Sequence, residues 1–247
     1  MHSVKMPRVF LILDNYHRKN CVCYTEMTMK KIVLITSLAL LSLYTSAQKK
    51  IADITIVYDA VITTGAAEPK LADAFDGATT TVYLKGNLSR SEMVSALASF
   101  TTIHDARSGA AVVLQEVGGQ KLLIRMTADD WKDKNRKYEG IRFNTTTETK
   151  TLAGYTCKKA IAQMKDGSSF IVYYTTDIMP ENDDYNSQFS GLKGLPLEYE
   201  LTQGQLNIRY IVSQVNLNPV PVSKFDIPKT GYREMTYEES KKGRKAQ

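Results

Sequence analysis

Reactive side chains are scarce in this chain. Its 247 residues include three cysteines, three histidines and one tryptophan. So few cysteines exclude a disulfide-dense scaffold. Cys21 and Cys23 lie near the N-terminus and Cys157 stands far downstream; two thiols alone make a poor metal site. No phosphate-cradling G-x-x-x-x-G-K-[ST], dinucleotide G-x-G-x-x-G, zinc H-E-x-x-H or nucleophile-elbow G-x-S-x-G occurs. Nor is there an apolar run of the roughly 20 residues that a membrane-spanning helix needs. At 43% hydrophobic and 23% charged, the composition is that of an ordinary globular protein. It excludes a disordered chain, a collagen-like repeat and a multi-span membrane protein.

The longest apolar run, Ile32–Leu43, has a specific reading. Met29-Lys30-Lys31 precedes it, and Tyr44-Thr45-Ser46-Ala47 and then Gln48-Lys49-Lys50 follow. A positive start, a short apolar stretch and small residues before a polar one are the parts of a cleavable signal peptide, in order. Residues 29–47 are therefore expected to be a signal, cleaved near Ala47-Gln48. Residue 48 is Gln, so no lipid-modified cysteine is expected there, and the mature chain should be periplasmic or secreted. Residues 1–28 then read as an upstream extension from a mis-called start, with translation beginning at Met27 or Met29.

Removing 1–47 changes the charge argument. The whole chain is +6, with a sequence pI near 9.0. The remaining 200 residues hold 26 basic and 24 acidic side chains, net +2. The clusters around Lys132–Lys137, at Lys158-Lys159 and at Lys241–Lys245 read as solvated faces, and nucleic acid is not an expected partner. One cysteine (Cys157), one histidine (His104) and one tryptophan (Trp131) remain. A Ser-His-Asp or Cys-His site would have to use His104, which reads as an exposed residue where a strand enters a turn. No catalytic residues, metal or cofactor are expected. The acidic Glu181–Asn186 lacks the spacing of a calcium loop and reads as solvated.

What is present is alternation of apolar and polar residues, the period of β-strands. Ile54, Ile56, Tyr58, Ala60 and Ile62 share one face. Thr79–Lys85 and Ser89–Val94 flank Gly86-Asn87. Ala111–Glu116 and Lys121–Met126 flank Gly118-Gly119. Cys157–Met164 and Ser169–Thr175 flank Asp166-Gly167, a strong hairpin signal. Leu197–Leu201 and Gln205–Leu217 make a further hairpin, and Phe225-Asp226-Ile227-Pro228 is expected to end the last strand. Helical signals are few: Glu68–Phe75, a segment from Thr127 toward Tyr138, and the polar end Tyr237–Lys245. The fold class expected is mainly β: a single curled antiparallel sheet or open half-barrel of serial hairpins. It should occupy residues 48–239 as one domain, with 240–247 as a basic tail.

Ser190-Gly191-Leu192-Lys193-Gly194-Leu195-Pro196-Leu197-Glu198-Tyr199 is the most distinctive stretch. Three leucines in a loop read either as the lining of a ligand cavity or as a plug folded over the core. The candidate ligand-binding residues are Leu192, Leu195, Pro196, Leu197, Tyr174 and Tyr199.

The order of Thr151–Ala160, Val172–Asp177, Gly191–Tyr199 and Phe225–Pro228, with Gly231-Tyr232 after it, resembles the uncharacterised exported envelope families of Gram-negative bacteria related to the GLPGLI-type proteins. Here the loop is Gly-Leu-Lys-Gly-Leu-Pro, so the resemblance is to a sister family. The curled sheet is more distantly similar to the lipoprotein carriers LolA and LolB, whose sheet wraps an apolar cavity. The resemblance implies an envelope location, an open β-barrel-like fold and no catalytic residues to carry over; the hairpin series, the apolar Leu192-Leu195-Leu197 loop and the aromatic-rich strands lead to the expectation of a non-enzymatic binding module for lipid, lipoprotein or another apolar ligand. The alternative is a structural or assembly factor of the cell envelope with a filled core and a protein partner; a hydrolase using paired carboxylates is the least expected reading.

Overall fold

The computed structural model describes residues 50–64, 77–203 and 206–245. The expected signal, the upstream extension and the expected helix over Glu68–Phe75 lie outside them. The described residues form one compact unit. Among the described residues, no helix is long and apolar enough to cross a membrane.

The strands are β1 (Lys50–Ile51), β2 (Asp53–Thr64), β3 (Thr79–Lys85), β4 (Leu88–Val94), β5 (Ala98–Asp105), β6 (Ala111–Val117) and β7 (Gln120–Met126). After helix α1 (Ala128–Lys134) come β8 (Arg142–Leu152), β9 (Tyr155–Gln163), β10 (Ser169–Thr175), β11 (Met179–Pro180), β12 (Leu195–Gln203), β13 (Leu206–Asn216) and β14 (Arg233–Thr236), then helix α2 (Tyr237–Lys245). Twelve of them form one sheet in the order β14-β7-β6-β5-β4-β3-β2-β13-β12-β10-β9-β8. Two antiparallel meanders meet where β2 pairs with β13. The expected curled sheet of serial hairpins is therefore present, with β14 added in parallel on β7. The small β1–β11 pair is also parallel.

The sheet cannot be flat. In chain order β7 leads to β8, yet the two lie ten spacings apart in the sheet. At ~4.8 Å per spacing, that is roughly 48 Å on a plane. The crossover, residues 127–141, includes a seven-residue helix and a 3₁₀ turn at Arg136–Tyr138. Summed over its helical and extended parts, it reaches roughly 37 Å at most. Only a sheet that curls, bringing its ends toward each other, lets the chain make this connection. The right-handed twist of successive strands supplies the curl.

Period-2 patterning assigns the faces. Ile54, Ile56, Tyr58 and Ala60 of β2 and Thr80, Val82 and Leu84 of β3 are buried on the concave face. Ala160 and Ala162 of β9, Phe170, Val172 and Tyr174 of β10, and Tyr210 and Val212 of β13 continue that face. The segment 176–194 lies across it. Its Ile178 and Phe189 are buried in the same core, with Leu192 packed against them. Two hydrogen bonds tie it to the far side: Asn182 Nδ2 donates to Asn87 O (3.1 Å) and Ser89 Oγ to Tyr185 O (3.4 Å). On the opposite face, Val220, Phe225, Ile227 and Tyr232 cover β5, β6 and β7.

Three sequence expectations need correction. Residues 222–225 form a 3₁₀ turn, and the last strand is β14; the apolar Phe225 is explained by packing on the sheet rather than by strand pairing. β8 is a long strand that apolar alternation does not reveal, because nearly all of it is polar and it forms the sheet edge. The basic tail is not separate at residue 239, because Ser240 is buried within α2 and donates to Tyr237 O at 2.7 Å.

Gly194 sets the entry into β12. A Cβ there would stand 2.1 Å from Thr175 O and 2.8 Å from the Tyr174 ring. The backbones of β10 and β12 approach too closely at this point for any side chain. Gly194→Ala should lower stability by about 3 kcal/mol, read as a fall in the urea unfolding midpoint. Cys157 is fully buried, its Sγ within 3.6 Å of Tyr155 O. Burial pushes its thiol up to about 11, so the thiolate that reacts is scarce at neutral pH. Cys157 should resist iodoacetamide in the native protein at pH 8 and react readily once urea unfolds the chain.

Candidate functional site

The six residues expected to line a ligand cavity do come together, but in solid core. Leu195, Pro196 and Leu197 are fully buried and lie in strand β12, not in a loop. Tyr174 and Tyr199 are 6% and 7% exposed, and Leu192 is half-buried against the same cluster. The Tyr58 hydroxyl donates to Pro196 O at 2.8 Å. Tyr199 is stacked on Tyr210 at 4.8 Å and meets Phe189 edge-on at 4.9 Å and Tyr58 at 5.6 Å. The Tyr174 hydroxyl is 2.9 Å from Thr145 Oγ1. None of the six lines either chamber described below.

Open space lies at the other end of the concave face, beneath the crossover. A cavity of about 800 Å³ is bounded by α1 and the residues after it, by the β5–β6 turn, and by 184–190. Trp131, Tyr138 and Ile141 give it apolar surface; Asp129, Asp133, Arg136, Glu139 and Asp184 give it charge of both signs. Trp131 also borders a smaller space of about 180 Å³. His104, Trp131 and Asn135 border both spaces.

The sequence builds this roof locally. Thr127 caps α1: its Oγ1 accepts from Asp130 N at 3.2 Å, and Asp130 Oδ2 accepts from Thr127 N at 3.0 Å. This reciprocal capping box and the acidic first turn stabilise a helix too short to persist alone. Asn135 Nδ2 closes its end on Trp131 O at 2.9 Å. Gly109 in the β5–β6 turn lets α1 settle close, since a Cβ there would meet Ala128 Cβ at 2.8 Å. Asp133 then receives hydrogen bonds from Lys241 (3.3 Å) and Tyr237 (3.3 Å) of α2. The Lys241 bond leads in holding its carboxyl below the ordinary range.

His104 is where the sequence reading fails most clearly. It is 4% exposed and stacked on Trp131, with ring centroids 4.7 Å apart and planes at 21°. It lies on β5 with its side chain on the concave face, beneath α1, rather than in an exposed turn. The rings of the one tryptophan and of the one histidine in 48–247 therefore form the contact that seats the roof on the sheet. The Nδ1 of His104 has no hydrogen-bond partner among the described residues, and neither does the buried Tyr185 hydroxyl. The segment 181–186, read as solvated, in fact turns Asn182 and the Tyr185 ring inward. Its acidic residues masked this; the signal was an aromatic residue inside an acidic stretch. Trp131 and Tyr138 were assigned to a helix but not to a site, because nothing in the sequence says what that helix covers.

No protein-family model matches the chain, and no curated protein matches it. The solved structures similar to parts of the chain include three at low identity. PNGF-II is 12% identical, with a TM-score of 0.46, over 78% of this chain and 33% of its own. MucB is 13% identical, with a TM-score of 0.35, over 74% of this chain and 59% of its own. A beta-barrel-like protein of a domain of unknown function from Brucella abortus is 9% identical, with a TM-score of 0.32, over 68% of this chain and 98% of its own. The chain thus spans about a third of the length of PNGF-II.

Burial holds His104 below the ordinary histidine value of 6.5, against the opposing pull of Asp105 and Asp184. Just below pH 6.5 the unfolded chain therefore binds more protons than the folded one. The stability that this neutral imidazole contributes is complete above 6.5 and is lost as pH falls toward the lower folded value. The urea midpoint of the wild type should drop between pH 7 and pH 5. His104→Phe, which keeps a ring against Trp131 but cannot titrate, should show a flatter dependence over the same range.

Proposed function

We propose that this chain is a non-enzymatic binding module of the cell envelope, exported from the cytoplasm, whose ligand enters the cavity beneath the 127–141 crossover. The observation that carries this reading is the contrast between the two ends of the concave face. One end is filled by Ile178, Phe189, Leu195 and Leu197. The other keeps about 800 Å³ under a helix capped, clamped and stacked in place. A roof held by this many specific contacts over empty space is the usual construction of a ligand site.

The cavity lining favours an amphipathic ligand over a bare acyl chain. Trp131, Tyr138 and Ile141 offer it apolar surface, and the charged side chains offer partners to a polar end. A lipid or lipoprotein remains a suitable ligand, presented by its head rather than threaded through the core. The binding role is favoured over catalysis by the state of the side chains present. Asp133 is fixed as an anion by Lys241, and His104 is sealed against Trp131. Among the described residues, no three His, Cys, Asp or Glu side chains gather as a metal cluster.

Trp131 provides the test, since it is the only tryptophan in the chain. Protein purified from its own host should carry a non-protein mass in native mass spectrometry. Envelope extract from that host should change Trp131 emission saturably. A bare protein mass together with unchanged emission would overturn the reading. That outcome would favour an assembly factor, which the filled half of the core also suits, and cross-linking would then recover a protein partner.

A further inference from the structure

Large apolar side chains that stand open to water are not spread evenly over this molecule. Among the described residues seven do so, and three of them, Leu97 (66% exposed), Val94 (47%) and Val117 (47%), sit at two neighbouring turns. Single exposed apolar residues are ordinary, but a group of them marks a contact surface. The turns are those between β4 and β5 and between β6 and β7. These four strands are antiparallel neighbours, so both turns lie at the same end of the sheet. The β5–β6 turn, which bounds the large cavity, lies at the other end.

Local structure holds these side chains outward. Ser95 closes the first turn: its N donates to Ala98 O at 2.9 Å, and its Oγ accepts from Ala98 N at 3.2 Å. Leu97 is carried at the tip of that closed turn. In the second turn, Gly118 and Gly119 both have positive φ, 57° and 79°, as a tight two-residue hairpin turn requires. They bring no side chain that could shelter Val117. Val94 pairs with Ser99, and Val117 with Ala98. Ser99 and Ala98 are consecutive on β5, so Val94 and Val117 stand on opposite faces of the sheet, with Leu97 at the rim between them.

Charge, area and shape together select the occupant. Residues 93–99, Met-Val-Ser-Ala-Leu-Ala-Ser, and 117–120, Val-Gly-Gly-Gln, include no charged side chain. No ion therefore has to be desolvated when the rim enters an apolar phase. The charged residues that flank these stretches are paired, Glu116 with Lys121 at 2.8 Å and Glu92 with Arg90 at 3.3 Å. The three apolar side chains expose a few hundred Å² at most, against the about 800 Å² that each partner buries in a stable protein interface. A projecting rim also offers a protein partner no groove, whereas a lipid surface moulds itself around it. We propose that the rim formed by Val94, Leu97 and Val117 docks this chain reversibly on the surface of a lipid bilayer. Binding at such a surface draws on buried apolar area and on attraction of basic groups to anionic lipid; this rim supplies the first alone. The inference goes beyond the cavity reading and does not rest on it.

Flotation with lipid vesicles tests it. Protein purified from its own host should float with vesicles of phosphatidylcholine alone. Adding phosphatidylglycerol, or raising the salt, should leave the bound fraction unchanged, because the rim carries no charge. Leu97→Asp should weaken vesicle binding at least about tenfold, since an aspartate resists entry into lipid. Val117→Asp should weaken it as well and serves as the second variant. Val222→Asp, at a residue 61% exposed but away from the rim, should bind as the wild type does. All three positions are exposed, so each variant should keep the wild-type urea midpoint. Wild type that stays behind when the vesicles float, or Leu97→Asp that floats as well as wild type, would overturn the inference. So would binding that needs phosphatidylglycerol and is lost in salt, which would assign the contact to the basic clusters. A wild-type dimer that Leu97→Asp converts to a monomer in sedimentation would make a second copy the occupant and overturn it equally. Each of these failures leaves the cavity reading, which Trp131 emission tests, untouched.

Discussion

The length of one connection governs this structure. β7 and β8 are consecutive strands that occupy nearly opposite ends of a twelve-stranded sheet. The crossover between them is too short to cross a flat sheet of that width. The sheet must curl, and the crossover must run over its concave side. From this one constraint follow the roof, the cavity beneath it and the need for contacts that hold the roof at a fixed height. α1 is too short to be stable by itself. Its capping box, the His104–Trp131 stack and the Asp133–Lys241 clamp are therefore conditions for the crossover to hold any shape.

The same curl creates a second problem, a concave apolar surface that cannot be left open to water. The chain solves it differently at the two ends. Toward β10 and β12, the 176–194 segment fills the space with Ile178 and Phe189, and tyrosines from four strands complete the packing. Those tyrosines are not wasted polarity: Tyr58 is hydrogen-bonded to Pro196 O and Tyr174 lies within hydrogen-bond distance of Thr145. Toward β4 and β5, the filling stops. Serines, Thr102 and His104 take the inward positions there. Along this one face the inward residues thus pass from apolar to hydroxyl-bearing.

How much of this was legible in the sequence depended on whether the signal was local. Hairpins with Gly-Gly, Asp-Gly or Gly-Asn turns were readable because the turn chemistry and the flanking alternation lie within a few residues of one another. β3 begins and ends where alternation places it, at Thr79 and Lys85. The Thr127 cap was readable for the same reason. β8 was not, because an edge strand facing water needs no apolar period. The strand was legible from Leu197 but not its start at Leu195 and Pro196, since that start depends on the approach of Thr175, nearly twenty residues away, to Gly194. The site was the least legible part. His104, Trp131 and Tyr185 belong to three separate segments, and only the crossover and the 176–194 segment bring them to one place.

The scarcity of reactive groups takes on a different meaning in this light. In 48–247 the lone cysteine is sealed in the core with its thiol pushed upward. The lone histidine is held uncharged against the lone tryptophan. Neither placement prepares a nucleophile or a proton donor: a nucleophilic thiol needs a lowered pKa, and a general base needs reach to a reacting group. What burial does achieve is to fix shape. A histidine that stays neutral can be packed on an indole without a counter-charge, and an indole so packed can hold a short helix above an open chamber. The histidine and the tryptophan are here packed together to hold the crossover above an open space.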